Sequence, residues 1–348
     1  MTQTLQFLTE APEHRADFRP LPTDILSDIL GIIRFSGAIS LRPELSAPWA
    51  IQSLPHADFA DAIQAHTKRL LPFHIVVKGS CWVQASDGTR MLLSQGDIII
   101  FPHGDAHILG DRLDQEAVLI SRLLPKPPWT EPLLMKYGGG GEVSKLVCGF
   151  LMCEEMLMHP FLKTLPKLIH IRTFAEPTAP LLETGVRYII QETDNFRSGS
   201  MCSLIRFVEL MFIEILRNYM QNLPAHEVGW LAALKDPIVR QALEWIHADP
   251  AHLWTVSELA TQTGMSRSAL ATRFTQLVGQ SPMKYLTYWR LQLASRQLQD
   301  TDDSIAKIAI QVGYESEAAF NRAFKRLVGI PPGVWRDGRR PAFGNQKV

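Results

Sequence analysis

The 348-residue chain is poor in cysteine, has no long uninterrupted apolar run and carries no net charge. Its four cysteines, Cys81, Cys148, Cys153 and Cys202, are too few and too scattered for a disulfide framework, so a reducing, cytoplasmic setting is expected. The opening MTQTLQFLTEAPEHRADF has acidic residues and neither the basic n-region nor the apolar h-region of a signal peptide. The most apolar helical stretch, 204–220, is interrupted by Arg206, Glu209, Glu214 and Arg217, which excludes a membrane span there. Hydrophobic residues at 46% and charged residues at 20% exclude global disorder, and the length suits two or three domains.

The zero net charge hides an uneven distribution. Residues 235–348 hold 15 basic and 10 acidic side chains, whereas residues 1–234 hold 20 and 25. A basic end on a neutral chain predicts an anionic partner for that end, nucleic acid foremost.

The pattern changes twice along the chain. From about 30 to 125, short apolar runs such as FHIVV (73–77), CWVQA (81–85) and DIIIF (97–101) alternate with turn signals, which predicts a β-sandwich or barrel. From 178 to 221 the period becomes helical, with Leu204, Val208, Met211 and Ile215 in line and Phe207, Phe212 and Leu216 widening the arc. So wide an arc either buries the helix within the monomer or leaves a stripe for a second copy. Asn222–Gly229 reads as a linker, and Asp236-Pro237 as the N-cap and first-turn proline of the next helix. The expected fold class is α+β multidomain, an N-terminal β-barrel followed by helices and then an all-α C-terminal domain. The expected divisions are an extension (1–29), a barrel (30–172), a helical dimerisation segment (173–221), a linker (222–235), the all-α domain (236–340) and a tail (341–348).

The C-terminal part contains a repeat. Val256–Gly264 and Ile305–Gly313 correspond at an offset of 49, with Ala260/Ala309, Gln262/Gln311 and Gly264/Gly313 identical. After one inserted residue the offset becomes 50, pairing Ser266/Ser316, Leu270/Phe320, Phe274/Phe324, Gly279/Gly329 and Pro282/Pro332. Each copy reads as helix, glycine turn, serine N-cap, helix, which is helix-turn-helix geometry. Met283–Gln299 between them predicts a continuous helix about 25 Å long, placing the two recognition helices about one DNA turn apart.

Residues 236–340 resemble the DNA-binding domain of the AraC/XylS family of transcription regulators. SELATQTGMSRSALATRFTQLVGQSPMKYL, Arg290-Leu-x-x-Ala294 and IAKIAIQVGYESEAAFNRAFKRLVGIPPGVWR carry the likeness. The resemblance implies base- or phosphate-facing roles for Ser268, Ala271 and Thr272 in the first recognition helix, and for Glu317, Ala318, Asn321 and Arg322 in the second. Many relatives have a basic residue where Thr272 stands, and Arg273 on the helix flank is the expected substitute. By chemistry, Arg322 suits guanine and Asn321 adenine, while Arg267 and Lys325 suit phosphates. The family's way of working implies double-stranded promoter DNA and RNA polymerase as partners, homodimers, and most simply transcriptional activation.

In the barrel region, Gly96-DIIIF-Pro102-His103-Gly104-Asp-Ala-His107 fits G-x5-P-x-G-x2-H, the second motif of the cupin family. That resemblance implies a metal site from a first motif preceding Gly79. There His66 falls at the first ligand position, but Lys68 and Pro72 replace the second histidine and the carboxylate. His74 shares an inward face with Pro72, so His74 and His107 either hold a divalent metal or line an effector pocket as hydrogen-bonded histidines. His103 is expected at the surface of its turn. The stretch 35–172 also resembles the cupin-like sensor half of some AraC-type regulators, which implies a small-molecule or stress signal. Cys148 is either a redox-active thiol or a buried small hydrophobe.

The leading expectation is therefore a signal-responsive transcription regulator without enzymatic activity. A metal-dependent cupin enzyme with an accessory DNA-binding domain competes with it, and the broken ligand set stands against that reading.

Overall fold

A computed structural model describes residues 24–337 apart from 33–34, 56–57, 59–67, 126–128, 130, 155–159, 175–179 and 225–226. Helix α1 (Ile25–Ile32) precedes eleven described strands. These are β1 (Ser36–Ser46), β2 (Ala50–Gln52), β3 (Lys68–Lys78), β4 (Ser80–Gln84), β5 (Arg90–Ser94) and β6 (Asp97–Ile100), then β7 (Ile108–Gly110), β8 (Val118–Leu119), β9 (Leu133–Gly138), β10 (Val143–Glu154) and β11 (Ile169–Arg172). One sheet has the order β11-β6-β3-β10-β1-β9 and the other β5-β4-β7-β2-β8. Leu41, Val76, Ile99 and Cys148 from the first meet Ile51, Cys81, Val83 and Leu109 from the second in a shared core. Strand structure thus runs past residue 125, through β9 to β11, as the length of a cupin-like fold requires.

Alternation along β3 decides which side chains see which core. Phe73 and Ile75 face the outer side, where Ile189, Val208, Met211 and Phe212 cover them, while His74 and Val76 face the space between the sheets. The covering helices are α3 (Pro180–Asp194) and α4 (Ser200–Asn222), preceded by the short α2 (Pro160–Lys163). Burial along α4 follows the expected stripe, with Leu204, Val208, Met211, Ile215 and Leu216 all buried.

The remaining helices are α5 (Trp230–Lys235), α6 (Pro237–Ala248), α7 (Val256–Gln262) and α8 (Arg267–Val278), then α9 (Pro282–Asp300), α10 (Ile305–Gln311), α11 (Glu317–Val328) and α12 (Pro332–Asp337). The expected linker 222–235 is corrected at its end. Residues 230–235 form α5, with Trp230 fully buried, its N–H donating to Thr164 Oγ1 at 3.0 Å and its ring 5.5 Å from Phe161. The apolar WLAALK packs instead of connecting. The boundary at residue 29 is also corrected, because α1 runs through it to Ile32. The tail 341–348 and His66 lie outside the described residues.

The N-cap reading at Asp236 holds, with its Oδ1 accepting from the N–H groups of Ile238 and Val239 at 3.0 Å each. Gly264 and Gly313 occupy the two turns with φ of +67° and +87°, the left-handed region where a side chain is strained. Ser266 and Ser316 cap the helices that follow by accepting from Ala269 and Ala319 N–H at 3.3 and 3.2 Å.

Candidate nucleic-acid interface and barrel interior

Each recognition helix is anchored by one buried face and presents the other. On α8, Leu270, Phe274 and Val278 are buried; on α11, Phe320, Phe324 and Val328 are. The opposite face of α8 exposes Arg267, Ser268 and Thr272, with Ala271 half-buried between them. That of α11 exposes Glu317, Ala318, Arg322 and Lys325, with Asn321 half-buried. The periodicity brings each set of predicted residues to one surface. Two further residues complete these faces and were missed from sequence, Gln276 one turn beyond Thr272 and Arg326 one turn beyond Arg322, both exposed. Their i+4 spacing was the available signal.

Arg273 stands apart. Its Nε and Nη2 donate to Asp236 Oδ2 at 2.8 and 2.5 Å, so the guanidinium braces α8 against the cap of α6. A phosphate drawn to this guanidinium would have to compete with that carboxylate. An open groove of about 650 Å3 is lined by Ser268, Thr272 and Gln276 on one side and by Glu227 and Val228 of the linker. The α9 rod between the units has 19 residues, about 28 Å at 1.5 Å each.

Between the sheets, four side chains form a hydrogen-bonded chain. Cys148 Sγ lies 3.0 Å from His74 Nδ1, and His74 Nε2 lies 2.7 Å from His107 Nε2. His107 Nδ1 in turn lies 3.0 Å from Ser53 Oγ. One proton arrangement satisfies every member: the thiol donates to His74, His74 Nε2–H to His107, and His107 Nδ1–H to Ser53. Phe101 stacks on the His107 ring with centroids 3.8 Å apart. Burial holds His74 well below its ordinary value and His107 at about 4, and pushes the Cys148 thiol well up. All members are therefore neutral near pH 7. Cys81 is likewise pushed up to about 12 by burial.

This arrangement does not fit a cupin metal. The two Nε2 atoms face each other in a hydrogen bond, and Cys148 occupies the opposite nitrogen of His74. Among the described residues no group of three or more His, Cys, Asp or Glu side chains is assembled to hold an ion. The alternative reading of His74 and His107, as hydrogen-bonded residues lining the interior, matches the geometry. His103 is bound rather than free in its turn, with Nε2 2.8 Å from the Leu165 carbonyl oxygen.

A cupin-like β domain followed by two helix-turn-helix units at the ends of one helix defines the class of sensor-linked DNA-binding regulators. Residues 24–221 match the cupin family and residues 259–338 a helix-turn-helix domain. The chain is 32% identical to a putative AraC-like transcription regulator of Streptomyces antibioticus, over 91% of this chain and 100% of that one. It is also 32% identical to the HTH-type transcriptional regulator AlkR of Acinetobacter baylyi, over 90% of this chain and 99% of that one. The crystal structure of the DNA-binding domain of AdpA in complex with a target DNA matches 30% of this chain and 97% of its own, at 29% identity and a TM-score of 0.29. The protein belongs to the AraC-type transcription regulators and is a DNA-binding regulator. No described helix is long and apolar enough to cross a membrane.

Proposed function

We propose that the protein is a cytoplasmic homodimeric activator that grips two successive major-groove segments of promoter DNA and passes a small-molecule signal from the cupin-like domain to RNA polymerase. The observation that carries this reading is the pair of equivalent exposed helix faces, α8 and α11, at the two ends of the α9 rod. Arg322 and Asn321 read base edges, Glu317 accepts from cytosine, and Arg267 and Lys325 meet phosphates. Ser268, Ala271 and Thr272 make shorter-range contacts at the first half-site.

The effector enters between the sheets and exchanges hydrogen bonds with His74, which like Ser53 is a half-buried member of the interior chain. A ligand that binds one domain arrangement more tightly than another shifts how the recognition helices are presented. Dimerisation through α4 is supported by its outward positions Cys202, Arg206, Leu210 and Arg217, exposed beside Leu181 of α3. Oxidation of Cys148 is the second reading of the signal. The imidazole at 3.0 Å favours it, while burial keeps the sulfur protonated and opposes it.

The test is a gel shift and footprint of the full chain on the region upstream of its own gene. Protection of two segments about one helical turn apart is expected. Protection of a single segment, unchanged by Arg322→Ala, would remove the two-unit docking.

A further inference from the structure

Helix α1 leads directly into the larger sheet of the cupin-like domain, yet it packs on the DNA-binding half. Its apolar residues Ile25, Leu26, Ile29 and Ile32 are buried in the same core as Val239, Trp245, Tyr285 and Trp289, and the helix lies against α6 and α9. Two polar links accompany this packing. Asp28 Oδ2 lies 3.0 Å from Nδ1 of His247, whose other nitrogen lies 2.8 Å from the Tyr285 hydroxyl. Arg296 of α9 donates to the Gly31 carbonyl at 2.7 Å.

The chain of contacts leads to the first recognition helix. The Tyr285 ring sits edge-on to Phe274, centroids 5.8 Å apart, and Phe274 is the fully buried anchor in the middle of α8. Trp289 stacks on His247 at 4.0 Å and closes the other side. With the tyrosine O–H donating to Nε2 and Nδ1–H donating to the carboxylate, a neutral imidazole satisfies every partner, in keeping with burial lowering its affinity for a proton. The second unit is built differently. Its core, with Leu291, Leu298, Ile308, Phe320, Phe324 and Trp335, draws no residue from the cupin-like half among the described residues.

We infer that α1 is a strap belonging to the first helix-turn-helix unit, and that Asp28 is a positioning residue fixing the presentation of α8 through His247 and Tyr285. The second unit's hydrophobic core holds no residue of α1 among the described residues, and its one link to the strap is the Arg296 bond to Gly31, on the stretch of α9 that also carries Ala294 and Leu298 of that core. The strap makes the first half-site the one that the sensor half adjusts. Removing the Asp28 carboxylate leaves the His247 N–H buried without an acceptor, whereas asparagine keeps an acceptor in place.

The experiment uses the full chain and a duplex selected by it from a random pool, with half-sites resolved by hydroxyl-radical footprinting. Arg322→Ala marks the half-site of the second unit. Asp28→Leu is expected to weaken protection of the other half-site about fivefold, leaving the marked one unchanged, and Asp28→Asn to restore it to within about twofold. Arg296→Gln, which loses the bond to Gly31, should move the same half-site in the same direction. Equal loss at both half-sites, full protection in Asp28→Leu, or no rescue by asparagine would overturn the inference. If the leucine variant does not fold, Arg296→Gln decides by the same criteria.

Discussion

Truncating Arg322 separates base reading from general attraction to DNA. The side chain is exposed on α11, one residue beyond half-buried Asn321 and two before buried Phe324. Its removal leaves the Phe320–Phe324 anchor untouched, so folding stability should change by no more than about 0.5 kcal/mol. A bidentate pair with guanine is worth about 1–3 kcal/mol, so affinity for the preferred duplex should fall about 5- to 150-fold while affinity for scrambled duplex barely moves. Lys325→Ala provides the contrast. One turn along the same face, it is proposed as a phosphate contact, so affinity should fall alike on both duplexes and the salt slope should drop by about 1. The assay is fluorescence anisotropy across a salt series, with both duplexes and both variants. Equal losses for Arg322→Ala on preferred and scrambled duplex would refute the assignment of base reading to α11.

Phe324→Ala should cost about 3–5 kcal/mol in denaturant unfolding, because the ring is fully buried against Phe320 and Trp335. The two turn glycines should differ. Gly264→Ala meets only the backbone penalty of about 1 kcal/mol, whereas Gly313→Ala also drives a methyl to 2.8 Å from Ala251 and should lose clearly more in thermal melts. The interior histidines set a pH dependence. His107 is held at about 4 in the folded chain against an ordinary value near 6.5, so the unfolded chain binds more protons between those values. Stability should be intact above about pH 6.5 and fall by about 3 kcal/mol on acidification to pH 4, and His107→Gln should flatten that decline in a melting series.

The double helix-turn-helix was legible because its marks are local. A glycine that must take positive φ, a serine cap and phenylalanines four residues apart each act within one turn of the chain, so the repeat announces itself without tertiary knowledge. The interior place of His107 was expected from the fit of residues 96–107 to the cupin family's second motif. What could not be read depends on distant partners. Arg273 meets Asp236 across 37 positions, a brace that no local pattern announces. Cys148 meets His74 only because β10 and β3 pair in that register. The strap was hidden for the same reason, since five apolar residues of an eight-residue helix look alike whether they cover a sheet or another domain. Six residues of WLAALK are likewise too few for a period to declare a helix.

The architecture places the signal and its readout on opposite sides of single elements. β3 is a shared wall: His74 touches the interior chain on one face, while Phe73 and Ile75 touch Met211, Phe212 and Ile215 of α4 on the other. α4 ends at Asn222, and eight residues later Trp230 is locked against Phe161 and Thr164 of the cupin-like half while lying in the core that also holds Phe274. A ligand that rotates His74 must move β3 or break the bond to Cys148, because close-packed interiors do not deform continuously. Movement of β3 presses on α4, and residues of α4 and α1 belong to the same hydrophobic core. In the proposed mode of action the first recognition helix is coupled to the cupin-like half through the core it shares with α1, and the second through α9. Under the proposed reading, such coupling adjusts one half-site while the other stays engaged.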